Sequence, residues 1–251
     1  ARTGEISDGG SPNAGDVIAD SLRLDAATGI APANNLETVV SSLAAQSMAG
    51  AININQTGDL DITTVNGLSG ITAQSAAISV TVAGSITVSQ AIDSNGGDVG
   101  LTSTTGVSAT ASIESDGGDI TIAGGTGPVS VQTLNASVTS GSGGSVTVTT
   151  DGNVSTTNVA TDGPMNGGAV SITSNNGAVT TGAIDSFGTS GTLGSVHLSA
   201  GTSVTAGAIG NQAATGAITI DAGTSAILQL LNSASDVSIT VGGLILEDTV
   251  S

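Results

Sequence analysis

The sequence predicts an all-β protein, a parallel β-helix (β-solenoid) of about ten coils with three short strands per coil. Three observations predict this fold. A strand-like unit returns nine times at spacings of 19 to 26 residues, apolar residues within it alternate with small or polar ones, and glycines recur at matching offsets. A unit of this kind cannot bury its apolar face by itself, so we expect successive units to stack.

The first strand of each unit follows a small residue and carries two inward aliphatic positions. The units start at Gly50, Ala76, Gly97, Gly118, Gly144, Gly168, Gly194, Gly216 and Ser235. Two places later lie Ile52, Ile78, Val99, Ile120, Val146, Val170, Val196, Ile218 and Val237, which are all β-branched. Four places after each start lie Ile54, Val80, Leu101, Ile122, Val148, Ile172, Leu198, Ile220 and Ile239. This period of two predicts a strand with one buried face.

The second and third strands follow a corner that a glycine marks in most units. These glycines are Gly58, Gly84, Gly106, Gly127, Gly152, Gly177, Gly201 and Gly223. A further aliphatic position, 15 or 16 places after each start, is filled by Val65, Ile92, Ile113, Leu134, Val159, Ile184, Ile209 and Leu231. Since the units differ in length mainly after this position, we expect one corner of the body to collect the insertions.

Two other folds fit the pattern less well. Val, Ile, Thr and Gly are poor helix formers, and the apolar spacing is two instead of 3.6. A β-sandwich has short alternating strands but gives no reason for the same residue class to return at the same offset nine times.

Both ends of the chain are expected to differ from the repeats. Residues 1–20 contain Gly9, Gly10, Pro12 and Gly15 and are expected to be irregular, either covering the first coil or reaching a neighbouring subunit. Residues 21–251 are assigned to the solenoid. Near the end, Ile245, Leu246 and Val250 look strand-like and no polar helix follows, so we expect further coils or another subunit to cover this face. A start at Ala1 without a leader suggests a processed product or a piece of a longer chain.

The charge balance excludes several kinds of partner. The formal net charge is −18, and the only cations besides one histidine are Arg2 and Arg23. Binding to nucleic acid or to an anionic membrane surface requires clustered cations, so neither is expected. No apolar run approaches the roughly 18 residues that would cross a bilayer, so membrane insertion is not expected either. The absence of cysteine leaves the compartment open.

Residues 21–71 carry a distinctive series of motifs: Leu22 and Leu24 before residues 26–30 (AATGI), residues 35–38 (NLET), residues 43–45 (LAA), and the stretch from Gly50 to Leu60. With these motifs, residues 21–71 resemble the repeats of large bacterial surface proteins of the filamentous haemagglutinin type. This resemblance implies a right-handed β-helical shaft of a secreted, extracellular or cell-surface exoprotein or adhesin. It also implies host or cell-surface ligands for the complete protein.

An enzyme is not expected. Polysaccharide-cleaving β-helices need a carboxylate cluster with a cationic group, and usually aromatic platforms for sugar rings. This chain has one aromatic residue, Phe187, and no lysine. The single histidine, His197, shares an outward strand face with Ser195, but adjacent coils carry Ser171 and Thr219 at its position, which favours a surface role.

The acidic turns are the sharpest candidate site. Residues 93–99 (DSNGGDV) are nearly repeated by residues 114–120 (ESDGGDI), so stacking should place Asp93 over Glu114 and Asp98 over Asp119, with Asp116 nearby. Like charges facing each other across strands repel, and a calcium ion would relieve that repulsion. Asp is also common in turns for backbone reasons, so solvated turn residues are the alternative. No cofactor is required by any motif; calcium is the one cofactor that the sequence suggests.

Two functions remain open at this stage. The first is a non-enzymatic shaft segment of a surface adhesin, continued by further coils of the same chain. The second is a subunit of an extracellular filament, in which identical chains join head to tail by strand pairing.

Overall fold

The structure, a computed structural model, describes residues 4–9, 15–210 and 213–250, with the side chains of 244–250 excepted. In chain order the strands are β1 Val17–Ile18, β2 Ser21–Ala26, β3 Leu36–Val39, β4 Ser42–Ser47, β5 Ile52–Thr57, β6 Leu60–Ile62, β7 Thr64–Val65, β8 Leu68–Ser69, β9 Ile71–Ala73, β10 Ile78–Ala83, β11 Ile86–Val88, β12 Ile92–Asp93, β13 Val99–Ser103, β14 Val107–Ala109, β15 Ile113–Glu114, β16 Ile120–Ala123, β17 Val129–Asn135, β18 Val146–Thr150, β19 Val154–Ala160, β20 Val170–Ser174, β21 Val179–Asp185, β22 Val196–Ala200, β23 Ser203–Ile209, β24 Ile218–Ala222, β25 Ser225–Leu231, β26 Val237–Val241 and β27 Leu244–Val250.

These strands form a parallel β-solenoid of about ten turns, as the sequence predicts. One sheet has eleven strands in the order β1-β3-β5-β10-β13-β16-β18-β20-β22-β24-β26, and we call it sheet A. The other, sheet B, has fourteen strands and runs from β14, β11 and β6 through β4 and β9 to β27. Every pairing in both sheets is parallel, and the described residues contain no helix.

The number of strands per coil changes along the stack. In the coils from Ile52 to Glu114, three separate parallel strands occur, for example β10, β11 and β12. From Val129 onward the second and third strands run together, because β14 and β15 both pair with the single seven-residue strand β17. The three aligned segments therefore persist, while the corner between two of them becomes continuous strand.

The predicted inward columns form the core. Of the eighteen positions in the two columns of sheet A, the sixteen from Ile52 to Ile220 are fully or almost fully buried. The two exceptions lie in β26, where Val237 is 41% exposed and Ile239 is only partly buried. Both residues keep the predicted register, pairing with Ile218 and Ile220, but no described strand covers their other side.

The third column is correct except at its first member. The structure places Ile71 in this column, because Ile71 pairs with Ile92 on one side and with Ala45 on the other. Val65, which was predicted there, lies in the antiparallel hairpin of β7 and β8. The turn of this hairpin, Asn66-Gly67, has positive φ at both residues. The hairpin adds five residues ahead of the third strand, because Ile71 follows Ile62 by nine positions whereas Ile92 follows Val88, the partner of Ile62, by four. In this coil the insertion therefore precedes the third strand.

The first twenty residues take part in the stack where the structure describes them. Ile6 forms a parallel bridge with Ile30 and packs against the core. Val17 and Ile18 form β1, which pairs with Thr38 and Val39 of β3. Gly9 and Gly15 belong to described segments, whereas Gly10 and Pro12 lie outside the described residues. At the opposite end β27 pairs with β25, and the side chains of Ile245, Leu246 and Val250 lie outside the description.

Candidate functional site

The acidic turns stack as the sequence predicts. Asp93 pairs directly with Glu114 where β12 meets β15. Asp98 and Asp119 precede the paired strands β13 and β16, and the N–H of Asp119 donates to Oδ1 of Asp98 at 2.9 Å. The near-repeat of residues 93–99 and 114–120 therefore marks the same corner in two consecutive coils.

Asp98 and Asp119 link one coil to the next. Oδ1 of Asp98 accepts the N–H of Asp119, and Oδ1 of Asp119 in turn accepts the N–H of Ser145 at 2.7 Å. The same contact, from a side-chain oxygen to a backbone N–H one coil later, recurs along the stack. It joins Asp59 to Ser85 at 2.7 Å, Asn153 to Ala178 at 2.9 Å, Asp162 to Phe187 at 2.7 Å and Asn166 to Thr192 at 2.8 Å. These side chains satisfy backbone donors at the corners.

Asp93 has a different environment. Its Oδ1 accepts the N–H of Asn95 at 2.9 Å, which closes a local turn. Partial burial raises the pKa of Asp93, the charges of Asp116 and Glu114 raise it further, and the hydrogen bond from Asn95 opposes them. The repulsion expected between stacked carboxylates is therefore present here.

The five predicted residues do not converge on one point. In the part of the chain that the structure describes, the one group of three carboxylates whose oxygens lie within 4.8 Å of one another is Asp8, Asp16 and Glu37. Glu37 has a raised pKa, caused first by desolvation, then by a hydrogen bond with Asp16 and the charge of Asp8. Its Oε2 is buried without a hydrogen-bond partner.

Sequence reasoning missed this N-terminal group because it depends on β1 folding back onto β3. The N–H of Glu37 donates to Oδ2 of Asp16 at 3.2 Å, while the N–H of Asp16 donates to the carbonyl of Glu37 at 2.8 Å. One signal was present in the sequence: an Asp directly before a β-branched strand residue, as in Asp98-Val99 and Asp119-Ile120, also occurs at Asp16-Val17.

The cationic side chains of the described residues lie on the outer surface. Arg23 donates to Oδ2 of Asp25 at 3.2 Å and to the carbonyl oxygen of Asn66 at 2.6 Å. Nδ1 of His197 lies 4.0 Å from a carboxylate oxygen of Asp221. His197 pairs in register with Ser171 and Thr219, which places it in the outward slot that the sequence assigned to it.

Buried hydroxyls form a second set of corner contacts. The single hydroxyl proton of Ser103 is shared between the carbonyls of Gly84 at 2.6 Å and Gly106 at 2.8 Å, and Oγ of Ser174 donates to the carbonyl of Gly152. At another corner Ser115 and Thr161 donate to the carbonyls of Gly118 and Gly168. Each hydroxyl adds a hydrogen bond to a corner carbonyl inside the stack, so these polar residues stabilise the coil.

Comparisons of the chain with protein-family models, with curated proteins and with solved structures find no match. In the described residues no helix is long and apolar enough to cross a membrane.

Proposed function

We propose that the chain is a structural shaft of a secreted bacterial surface adhesin or exoprotein, without enzymatic activity. One observation carries this proposal. Two sheets of parallel strands run through the whole described stack around a single aliphatic core. Eleven strands at a spacing of about 4.8 Å make a rod on the order of 50 Å long. Such a rod is suited to holding a binding tip away from a surface, because each coil stabilises its neighbours along the axis.

The polar corner contacts support the same proposal. The carboxylates of Asp98, Asp119 and Asp162 accept backbone N–H groups of the following coil. Side chains engaged in this way stabilise the stack. The resemblance of residues 21–71 to haemagglutinin-type repeats adds the extracellular, bacterial context and the host or cell-surface ligands of the complete protein.

The location can be tested on intact cells of the source organism. We expect antibodies raised against the folded chain to label the outer surface of these cells or their culture medium, and external protease to remove the label. A cytosolic protein of known location serves as the control for cell lysis. Antigen found in the cytosol and protected from external protease would overturn the proposal.

The exposed column of β26 favours a second candidate, a filament subunit. Val237 and Ile239 occupy positions that are buried in the eight preceding strands of the column, yet here they are partly uncovered. An unpaired strand edge next to exposed aliphatic side chains favours addition of another strand. A second copy that docks its first coil there would extend the rod head to tail.

Two measurements separate the candidates. A native polypeptide far larger than 23.6 kDa supports the shaft, whereas a discrete product near this mass supports the subunit. For the subunit, electron microscopy of the concentrated chain should show end-to-end fibres that Val237→Lys removes and the neighbouring outward substitution Ser238→Lys retains. A chain that stays monomeric at every concentration contradicts the subunit.

A further inference from the structure

Four Asn-Gly pairs occur in the chain, each in a connection between strands: Asn66-Gly67, Asn95-Gly96, Asn166-Gly167 and Asn176-Gly177. An Asn-Gly pair can modify itself, because glycine has no side chain to obstruct attack by its backbone nitrogen on the preceding amide. The reaction requires that this nitrogen be free to approach the asparagine Cγ. The hydrogen bonds at each turn therefore decide which pair reacts.

Three of the pairs are held by hydrogen bonds from the glycine nitrogen. The N–H of Gly96 donates to the carbonyl of Ser115 at 2.7 Å, and that of Gly167 donates to the carbonyl of Thr192 at 3.0 Å. The N–H of Gly177 donates to Oγ of Ser174 at 2.9 Å. Attack at any of these turns must first break a contact that ties the corner to its coil.

Two of these pairs also have a fixed asparagine side chain. Nδ2 of Asn95 donates to the carbonyl of Ala73 at 2.9 Å. Nδ2 of Asn166 donates to Oγ of Ser142, and its Oδ1 accepts the N–H of Thr192. Their Cγ atoms cannot turn toward the following nitrogen without losing these bonds.

Asn66-Gly67 has neither restraint. Both residues are exposed at the tip of the β7–β8 hairpin, and within the described part of the chain neither the Gly67 N–H nor the Asn66 side chain has a hydrogen-bond partner. The hairpin has only two residues in each strand, and its tip projects from the stack, so the Asn66 side chain and the Gly67 N–H are less restrained than the corners of the coils.

We propose that Asn66 is a self-modification site, at which the folded chain deamidates in preference to the other three Asn-Gly pairs. The nitrogen of Gly67 attacks Cγ of Asn66, the new N–Cγ bond forms, and the Cγ–Nδ2 bond breaks. Nδ2 leaves as ammonia and takes the proton that the Gly67 nitrogen loses. A succinimide ring remains. Water then opens the ring to aspartate or isoaspartate, so one water is consumed, one ammonia is released and no oxidant is involved.

The isoaspartate product has a direct consequence for Arg23. In this product the chain continues through Cγ, and the former backbone carbonyl of residue 66 becomes a carboxylate. In the unmodified protein Arg23 donates to the carbonyl oxygen of Asn66 at 2.6 Å. After the reaction its guanidinium would therefore face a charged carboxylate. The hairpin would gain one backbone atom and one negative charge while an ion pair to β2 holds its tip.

The test compares the folded chain with the unfolded chain. The protein is incubated in mildly alkaline buffer made with ¹⁸O water, below its melting temperature, then digested and analysed by mass spectrometry. We expect ¹⁸O in the peptide that contains Asn66 at about ten times or more the level in the other three, since their turns must open first. In urea all four peptides should be labelled at similar rates.

Two controls identify the product and the site. Asn66→Asp supplies the chromatographic standard for the aspartate form, and Asn66→Gln should remove the early label without affecting the fold. Equal labelling of the four peptides in the folded chain, or earlier labelling at Asn95, Asn166 or Asn176, overturns the proposal. So does a folded chain in which Asn66 stays unlabelled while the urea sample reacts.

Discussion

Asp162 and Asp59 make the same contact but are affected in opposite directions. Each carboxylate accepts an N–H from the next coil at 2.7 Å, from Phe187 and Ser85 respectively. The pKa of Asp59 is lowered, mainly by this hydrogen bond. Asp162 is half-buried, and its burial raises its pKa with help from the charge of Asp185, against the hydrogen bond from Phe187. Burial therefore outweighs the hydrogen bond at Asp162, whereas the hydrogen bonds with Ser85 outweigh burial at Asp59.

This contrast predicts opposite effects of removing each charge. A raised pKa in the folded state contributes stability that is present at low pH and lost as pH rises through the folded pKa. We therefore expect Asp162→Asn, which keeps an oxygen acceptor, to raise the melting temperature at neutral pH and to match wild type in acid. Thermal unfolding followed by circular dichroism between pH 3 and pH 7 would measure this.

Asp59→Asn is the matched control. Its lowered pKa contributes stability above the ordinary pKa of Asp, and this stability is lost as pH falls through the folded value. The variant should therefore be less stable than wild type at neutral pH, with the difference closing in acid. If both variants shift the melting temperature in the same direction at neutral pH, burial is not what distinguishes the two carboxylates.

At the scale of the element, the corner depends on close stacking of glycines. A Cβ at Gly118 would overlap the carbonyl oxygen of Gly97 in the coil below, whereas a Cβ at Gly100 would meet only the carbonyl oxygen of Ile78 at 3.9 Å. We expect Gly118→Ala to cost about 1–3 kcal/mol of unfolding free energy, because the backbones must separate. Gly100→Ala should be neutral or stabilise by up to about 1 kcal/mol. Urea unfolding of both variants measures the difference, and equal midpoints would contradict close stacking.

We still predict that calcium binds at the stacked corner that contains Asp93, Glu114 and Asp116. Burial, with the charges of Asp116 and Glu114, raises the pKa of Asp93, and a bound cation would relieve the repulsion from those two charges. Calcium added to chelator-treated protein should then raise the melting temperature, because the ion binds the folded state. Magnesium, which prefers strict octahedral geometry, should raise it less.

Asp98→Ala with Asp119→Ala should abolish this rise if calcium bridges the acidic turns. Because these carboxylates also accept backbone N–H groups, the double variant will be less stable without calcium, so the calcium-dependent increment is the quantity to compare. If the melting temperature of the wild type is unchanged at millimolar calcium, these carboxylates are solvated turn residues and not a calcium site. If the double variant Asp8→Asn with Asp16→Asn loses the calcium-dependent rise in melting temperature instead, the ion binds the N-terminal carboxylates.

The elements show what repetition can and cannot predict. The aliphatic columns were predictable because an inward position such as Val146 or Ile172 returns at one offset in every coil. Val65 was misplaced because its offset fits the column while Asn66-Gly67 turns the chain back into a hairpin, a local signal that a period does not contain. The grouping of Asp8 and Asp16 with Glu37 was also not predictable, because it requires β1 to pair with β3. Neither strand belongs to the nine repeat units found in the sequence.

The whole molecule is a stack in which every inner coil is paired on both sides. Its stability should therefore vary along the axis, as in other repeat proteins with nearest-neighbour coupling. In sheet A, β18 and β20 have partners above and below, whereas β26 pairs only with β24. The side chains agree, since Val146 and Val170 are buried while Val237, in the same column, is 41% exposed.

Hydrogen exchange should detect both this gradient and the open edge. The N–H of Ile218 donates forward to the carbonyl of Asp236 in the next coil, and alternate residues along a parallel strand donate in opposite directions. The register of β26 with β24 therefore directs the N–H of Val237 away from β24 and the N–H of Ser238 toward β24.

In dilute solution we expect slow amide exchange in β18 and β20, intermediate exchange at Ser238, and fast exchange at Val237. Slowing of Val237 with rising concentration, while Ser238 is unchanged, would indicate strand addition at this edge. Equal protection of the two amides in dilute monomer would instead mean that the edge is already covered within the chain, and head-to-tail growth through β26 would be excluded.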